Sequence, residues 1–236
     1  VAAALGALGR GITNSVSAEA ADTFALGAEL RESLDTVVTN PPWDLLKPDA
    51  RDGLTGPDAS AFRAELRACA RRLGQAFPAA VSAQGKAMMG SAVNLARAGA
   101  LAAAEAARPG GVVALVLPAA LLSDQASAPF RTALFTRLSV TELDVFPAEA
   151  LAFAGVDQPF VTLTAVAGAA TRSLHLRRRT RGLTVLDARD VAVDADPSAP
   201  LALGVSAAHA TLVATWREPG PPLSALEADP ERRLWL

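Results

Sequence analysis

Cysteine and histidine are scarce in this chain of 236 residues, which contains one cysteine and two histidines. The lone cysteine, Cys69, excludes an internal disulfide and fits a reducing, cytoplasmic location. His175 and His209 are too few and too isolated for a metal site or a Ser-His-Asp arrangement. The chain also lacks a Gly-x-Ser-x-Gly motif and a phosphate-binding lysine loop. These absences argue against a hydrolase triad, a nucleotide-phosphate loop and a bound metal.

Apolar runs of membrane-spanning length are missing as well. A span needs about 20 apolar residues, and the best approach, residues 88–107, is interrupted by Asn94, Arg97 and Glu105. The start, Val-Ala-Ala-Ala-Leu, has no methionine and no basic segment, so no signal peptide is expected. Neither end carries the signals of a natural terminus, so we expect a fragment truncated at both ends. The formal net charge is −2, so any case for nucleic acid must be local.

Aromatic residues make up only 5% of the chain, whereas hydrophobic residues make up 51%. The apolar content is dominated by Ala, Val and Leu, which is typical of Ala-rich helices over a Val- and Leu-rich sheet. The length suffices for one sizeable domain and the start of another. The texture changes after Gly168 to short polar strands, so we expect a core over residues 1–170 and a β-rich extension over residues 171–236.

Local patterns set the expected order of elements. The continuous apolar run 112–117 predicts a central strand buried on both faces. Further strands are predicted over 35–39, 140–146 and 160–166, and helices over 60–77, 87–107 and 125–137. The first three strands are expected to be parallel through helical crossovers. The last two have only a short connection, which leaves an antiparallel pair open. The expected fold is α/β, with a doubly wound, mostly parallel sheet.

The most informative motif is Asn40-Pro41-Pro42-Trp43, which directly follows the β-branched run Thr36–Thr39. A buried strand followed by a stiff, amide-bearing loop lies where ligands bind in open α/β sheets. Pro41 restricts Asn40 to extended geometry, and both prolines fix their own φ angles. An ordinary strand-to-loop turn is the alternative interpretation of the same residues.

This motif, together with segments in a matching order around it, resembles the adenine-N6 DNA methyltransferases, whose catalytic motif is Asp/Asn-Pro-Pro-aromatic. The matching segments are Ala21–Phe24, Leu34–Thr39, Pro109–Leu122, Phe130–Leu134 and Phe153–Phe160. The resemblance covers about residues 20–170. It implies a Rossmann-like, S-adenosylmethionine-dependent methyltransferase core, followed by the start of a target-recognition region.

The resemblance also implies roles for individual residues. Asn40, with Pro41 and Pro42, belongs to the catalytic loop, where the Asn40 amide oxygen and the Pro41 carbonyl accept the two hydrogens of the adenine amino group. Trp43 offers a flat face to a base rotated out of the duplex. Phe153 is the candidate for the opposite face of that base, and Phe146 is its rival. The alternative interpretation of each is a core residue, and it is the favoured one for Phe146.

The resemblance implies that Asp22 and Phe24 bind the cofactor, because the acidic turn at this position in the family holds the adenine of S-adenosylmethionine. Asp22 is alternatively a helix cap or a loop carboxylate. The family's Gly-rich cofactor loop should precede Asp22. The glycines at positions 6, 9 and 11 follow a helical segment rather than a strand, so we expect that loop to lie upstream of this fragment.

A basic cluster, Arg177-Arg178-Arg179 with Arg181, is predicted either to contact DNA phosphates or to protect the edge of a solvated hairpin. The expected partners are double-stranded DNA and the specificity or defence-system subunits of a restriction–modification or phage-defence system. Two rivals stay open: a methyltransferase acting on RNA guanine N2 or protein glutamine, and a non-catalytic fragment that binds only DNA or a partner.

Overall fold

The computed structural model describes residues 29–46, 56–81, 93–150 and 158–206. Its strands are β1 (Leu34–Thr39), β2 (Leu45–Leu46), β3 (Val93–Asn94), β4 (Ala107–Pro118), β5 (Leu138–Phe146), β6 (Phe160–Ala167), β7 (Ser173–Arg179) and β8 (Val185–Ala192). Its helices are α1 (Gly56–Ala76), α2 (Leu95–Ala106), α3 (Ala120–Ser123) and α4 (Ala128–Arg137), with 3-10 turns at Pro78–Ala80, Gln125–Ser127 and Ala148–Ala150. The order of strands and helices predicted between residues 35 and 166 is confirmed.

Six strands form one mixed sheet in the order β1-β4-β6-β5-β7-β8, and β2 pairs separately with β3. β1 is parallel to β4, and β5 is parallel to β7. β6 lies antiparallel between β4 and β5, and β8 is antiparallel to β7. The first three predicted strands therefore run in one direction, as expected, and the last two are an antiparallel pair. The expectation of a mostly parallel sheet is corrected to a mixed one, because β6 runs antiparallel to both of its neighbours and β8 runs antiparallel to β7.

α2 and α4 contact each other and pack on the sheet, where α2 contacts β1 and β4 while α4 contacts β5. Leu115, Leu143 and Leu163 point into this layer and are 2% exposed or less. On the opposite face Val38 is 75% exposed and Val112 is 38% exposed. The expectation that the run 112–117 is buried on both faces is therefore wrong for the described residues, because none of them covers that second face. Double winding, which needs helices on both faces, stays a prediction.

Local sequence explains where α2 begins and ends. The Asn94 side chain accepts a hydrogen bond from the backbone N–H of Arg97 at 3.0 Å, which caps the first turn. At the other end the chain turns through Pro109 and Gly110, whose φ of +81° suits glycine. A Cβ at Gly111 would lie 2.9 Å from the Leu34 carbonyl oxygen. Glycine here lets β4 lie beside the start of β1.

The chain beyond residue 170 continues the same sheet through β7 and β8. After β8, Leu201 and Leu203 are buried in the core at 7% and 5% exposure. The Leu201 backbone N–H donates to the Leu122 carbonyl at 2.8 Å. The division near residue 170 into a core and an extension stays a prediction, and any target-recognition region after residue 206 lies outside the described residues.

Candidate active site

The Asn-Pro-Pro-Trp motif lies at the carboxyl end of β1. Thr39, the last residue of β1, is paired with Leu115 of β4, so the motif leaves the sheet beside one of its central strands. Asn40 is exposed, whereas the neighbouring Pro41 is buried. The local arrangement is an anchored proline with an accessible amide next to it. β4 and β5 end, and the antiparallel strand β6 begins, at the same edge of the sheet. This is the edge where α/β proteins bind ligands.

The far end of this loop is tied to the start of α2. The Leu95 backbone N–H donates to the Asp44 carbonyl oxygen at 3.0 Å. Just beyond it, Leu45 and Leu46 pair antiparallel with Asn94 and Val93. The residues that follow Trp43 are therefore fixed to the same helix that covers β1 and β4, so the motif is held from both sides rather than extended into solvent.

Trp43 belongs to a group of three aromatic rings at this edge. Its ring centroid lies 6.3 Å from that of Phe160, with the planes tilted by 36°. Phe160 stacks in turn on Phe146 at 4.7 Å and 5°. Phe146 and Phe160 are 6% and 5% exposed, so both are core residues, and a buried Phe146 presents no open face to a base. Trp43 is half-buried and packs against the core, and its stacking on a base stays a prediction.

Phe160 is the aromatic neighbour that sequence reasoning did not assign to the site. It begins the predicted strand 160–166, and an antiparallel strand starts at the edge where its parallel neighbours end. Its register partners are Pro118 of β4 and Phe146 of β5. Choosing the antiparallel alternative for strand 160–166 would have placed Phe160 beside the motif. Phe153, Asp22 and Phe24 lie outside the described residues.

A buried arginine, Arg97, lies beneath the loops at this edge. Arg97 of α2 is 5% exposed and donates from Nη2 to Ser127 Oγ at 2.7 Å. Burial lowers the pKa of the Arg97 guanidinium, and the charge of Asp124 opposes that effect. Asp124 also accepts from the Ser127 backbone N–H at 2.6 Å. This connection joins the first turn of α2, next to the Asn-Pro-Pro loop, to the loop that follows β4.

The predicted phosphate contacts on β7 are paired inside the protein. Arg177 Nε lies 2.6 Å from Asp144 Oδ1, and its Nη2 lies 2.5 Å from Glu142 Oε2. The hydrogen bond to Asp144 is the largest cause that raises the pKa of Arg177. Arg179 Nε lies 2.7 Å from the same Asp144 oxygen. β7 is four strand positions from β1, about 19 Å at 4.8 Å per strand.

Arg178 is the residue between Arg177 and Arg179 on β7 and is half-buried, and Arg181 is exposed in the turn that joins β7 to β8. The carboxylates of β5 neutralise Arg177 and Arg179. Because β7 lies between β5 and β8 rather than at the sheet edge, these two side chains form cross-strand ion pairs and do not protect an edge. A contact of the four arginines with DNA stays a prediction. Within the same described part of the chain, no group of three or more His, Cys, Asp or Glu side chains is arranged to hold a metal ion.

No helix among residues 29–46, 56–81, 93–150 and 158–206 combines the length and apolar character needed to cross a bilayer. No protein-family profile and no curated protein sequence matches this chain.

Similarity is found with solved structures of restriction–modification proteins. The type IIG restriction endonuclease BpuSI is 14% identical with a TM-score of 0.47, over 74% of this chain and 21% of that one. A chain of a type I restriction–modification system is 15% identical with a TM-score of 0.44, over 86% and 45%. The type I methyltransferase subunit from Streptococcus thermophilus is 19% identical with a TM-score of 0.40, over 70% and 30%. This chain thus spans less than half the length of each of these proteins.

Proposed function

We propose that this chain is part of an enzyme that transfers a methyl group from S-adenosylmethionine to the N6 amino group of adenine in double-stranded DNA. The observation that supports this most is the pair formed by an exposed Asn40 and a buried Pro41 at the carboxyl end of β1. A buried proline fixes the backbone from which Asn40 presents its amide before a substrate arrives. Acceptors that are positioned in advance lower the barrier without later reorganisation.

The adenine amino nitrogen is a weak nucleophile because its lone pair is delocalised into the ring. Asn40 Oδ1 and the Pro41 carbonyl each accept one N–H hydrogen, which favours a pyramidal nitrogen with its lone pair directed at the reacting methyl. S-adenosylmethionine, when bound, would supply the methyl group for the new nitrogen–carbon bond with its sulfur as the leaving group, and the extra proton of the amino group would leave to solvent. No ionised base is required.

The remaining roles follow the same proposal. The cofactor supplies an electrophilic methyl group, and Asp22 and Phe24 are the residues proposed to hold it. Trp43 is proposed to stack on the extruded base, with Phe153 on its other face. Stacking of this kind contributes about 1–3 kcal/mol per base. Double-stranded DNA and the other subunits of a restriction–modification or phage-defence system are the proposed partners.

The test is transfer of labelled methyl groups by the intact protein to unmethylated plasmid DNA, followed by identification of the methylated base. We expect N6-methyladenine, and we expect Asn40→Ala to reduce incorporation at least 100-fold, as the loss of a positioned acceptor does. The matched control is Gln75→Ala, which removes an equally exposed amide on α1. Because Asn40 is exposed, its variant should unfold at the wild-type midpoint.

The same assay separates the rival activities. Label recovered in guanine N2 of RNA or in protein glutamine would replace the DNA substrate with one of those two. Binding of DNA without any transfer, in the presence of S-adenosylmethionine, would identify a non-catalytic partner subunit. Normal transfer by Asn40→Ala would remove the catalytic role from the motif.

A further inference from the structure

Gly99 of α2 makes an unusually close approach to the Asn-Pro-Pro loop. A methyl group added at Gly99 would lie 2.5 Å from Pro41 Cβ and 3.4 Å from Pro41 Cγ. Carbon atoms in van der Waals contact are about 3.5–4.0 Å apart. The helix and the proline therefore lie in contact only because position 99 has no side chain.

Nothing in the backbone of α2 itself calls for glycine at this position. Gly99 is an interior residue of a regular helix, and no positive φ is recorded for it. Glycine weakens a helix interior relative to alanine, and α2 is otherwise rich in alanine. The close contact with Pro41 does call for glycine, because alanine at position 99 would disrupt it.

Closely packed neighbours resist a movement of α2 away from Pro41. Ala96, Ala98 and Ala100, which flank Gly99, are all 0% exposed. The start of the helix is also fixed to the far end of the loop through the Leu95 to Asp44 backbone hydrogen bond. Interiors are closely packed and transmit such displacements. An added methyl at position 99 must therefore displace Pro41.

We propose that Gly99 is a positioning residue for the candidate active site. By letting α2 contact Pro41 directly, it fixes where Pro41 holds its carbonyl and where Asn40 presents its amide. The packing contact stands independently of any activity. Only its consequence for methyl transfer rests on the proposed function.

The first test is kinetic. In Gly99→Ala, Pro41 must move by about 1 Å to restore contact distance, and a misplacement of that size costs up to about 100-fold in rate. We expect kcat for methyl transfer to fall by about 10- to 100-fold, with DNA affinity changed by less than about twofold because Asn40 and Trp43 are still present. The matched control is Gly74→Ala in α1, where the added methyl meets the Val81 side chain at 3.2 Å and the Val93 side chain at 3.8 Å and does not approach the Asn-Pro-Pro loop. A Gly99→Ala enzyme with a kcat within twofold of wild type would overturn the positioning role.

The second test is a stability cycle that needs no activity. Gly99→Ala is introduced into wild type, into Pro41→Ala, which keeps the Cβ, and into Pro41→Gly, which removes it. We expect the thermal midpoint to fall by about 3–6 °C in the first two backgrounds. In the Pro41→Gly background the overlap is gone, so the higher helix propensity of alanine should raise the midpoint. The same change in all three backgrounds would refute the contact.

The two tests also separate this inference from the proposed function. If Asn40→Ala kept full transfer while the stability change at position 99 still inverted, the function would fail and the contact would stand. If Asn40 proved essential but the stability change did not invert, the positioning role of Gly99 would fail and the function would stand.

Discussion

Trp43 shows at the scale of one residue how a site side chain is also a packing side chain. Its ring packs against Phe160, yet its Nε1 atom is buried and has no hydrogen-bond partner within the described part of the chain. A buried donor without a partner costs about 1–3 kcal/mol. The indole therefore carries a desolvation penalty that a phenyl ring at this position would not carry.

We expect Trp43→Phe to leave the free energy of unfolding within about 1 kcal/mol of wild type, because removal of the unpaired N–H offsets the smaller buried area. Trp43→Ala should lose about 3 kcal/mol, since it leaves a void beside Phe160. For methyl transfer, Phe should retain activity within about threefold and Ala should lose about 10-fold or more, the equivalent of one stacking contact. Urea unfolding and the labelled-methyl assay measure both quantities. If Trp43→Phe and Trp43→Ala lowered the free energy of unfolding equally, the Nε1 group would be needed for stability and the prediction would be wrong.

At this scale the sequence indicated Asn40 and Trp43 correctly as neighbours of a strand end, because the motif and the strand before it are local. It did not indicate Phe160 as the ring beside Trp43, since that contact depends on β6 running antiparallel between β4 and β5. Gly99 was also missed. Its contact with Pro41 joins positions 58 residues apart and leaves no sign in the composition of α2.

At the scale of elements, α4 holds the chain that follows β8 through one fully buried side chain. Arg131 is 0% exposed and donates to the Ser198 carbonyl at 2.9 Å from Nε and to the Asp124 carbonyl at 2.5 Å from Nη1. Burial lowers the pKa of Arg131, an effect that Asp124 opposes. The planar guanidinium presents its donors in a rigid fork that reaches two segments at once, whereas a lysine ammonium is a compact point charge on a flexible stem.

We expect Arg131→Lys and Arg131→Met each to lower the free energy of unfolding by about 3 kcal/mol, because buried carbonyl oxygens lose their donors. Hydrogen exchange is the sharper measurement, since the Leu201 amide bonds to Leu122 in the tethered segment. Its exchange should accelerate more than that of the β4 amides. Arg71→Met on the exposed side of α1 is the control. Unchanged protection of Leu201 would show that Arg131 does not tether this segment.

The sheet shows how far sequence patterns reach at the scale of the whole molecule. The apolar run of β4 and the alternation in β5 and β6 predicted those strands, because side-chain period is a local property. The mixed order and the exposure of Val38 were not predictable. They depend on which strands become neighbours and which face a helix covers. β7 and β8 illustrate the same limit, because their polar composition indicated an extension while their pairing continues the sheet.

Glu105 joins three distant parts of the molecule at the opposite edge of the sheet from Asn40. It lies in a cleft of about 360 Å³ and pairs with Arg31, which precedes β1, at 2.9 Å. Its other oxygen accepts from Arg137 at the end of α4. Burial is the largest single influence on the Glu105 pKa and raises it, but the hydrogen bonds and charges of the two arginines together outweigh burial and lower the pKa below its ordinary value.

This lowered pKa predicts how stability depends on pH. A carboxyl group whose pKa is lower in the folded state stabilises the fold above its unfolded pKa, and the contribution is lost as pH falls through the folded pKa. Both arginines are at least half exposed, so the two pairs together contribute about 1 kcal/mol. We expect Glu105→Gln to lose that amount near neutral pH in urea unfolding. The difference from wild type should begin to shrink once pH falls below the unfolded pKa of a glutamate, and it should vanish as pH falls through the lowered folded pKa of Glu105. The control is Glu65→Gln, at an exposed position on α1. If the loss of unfolding free energy in Glu105→Gln stayed constant into acid, Glu105 would contribute through packing and not through its charge.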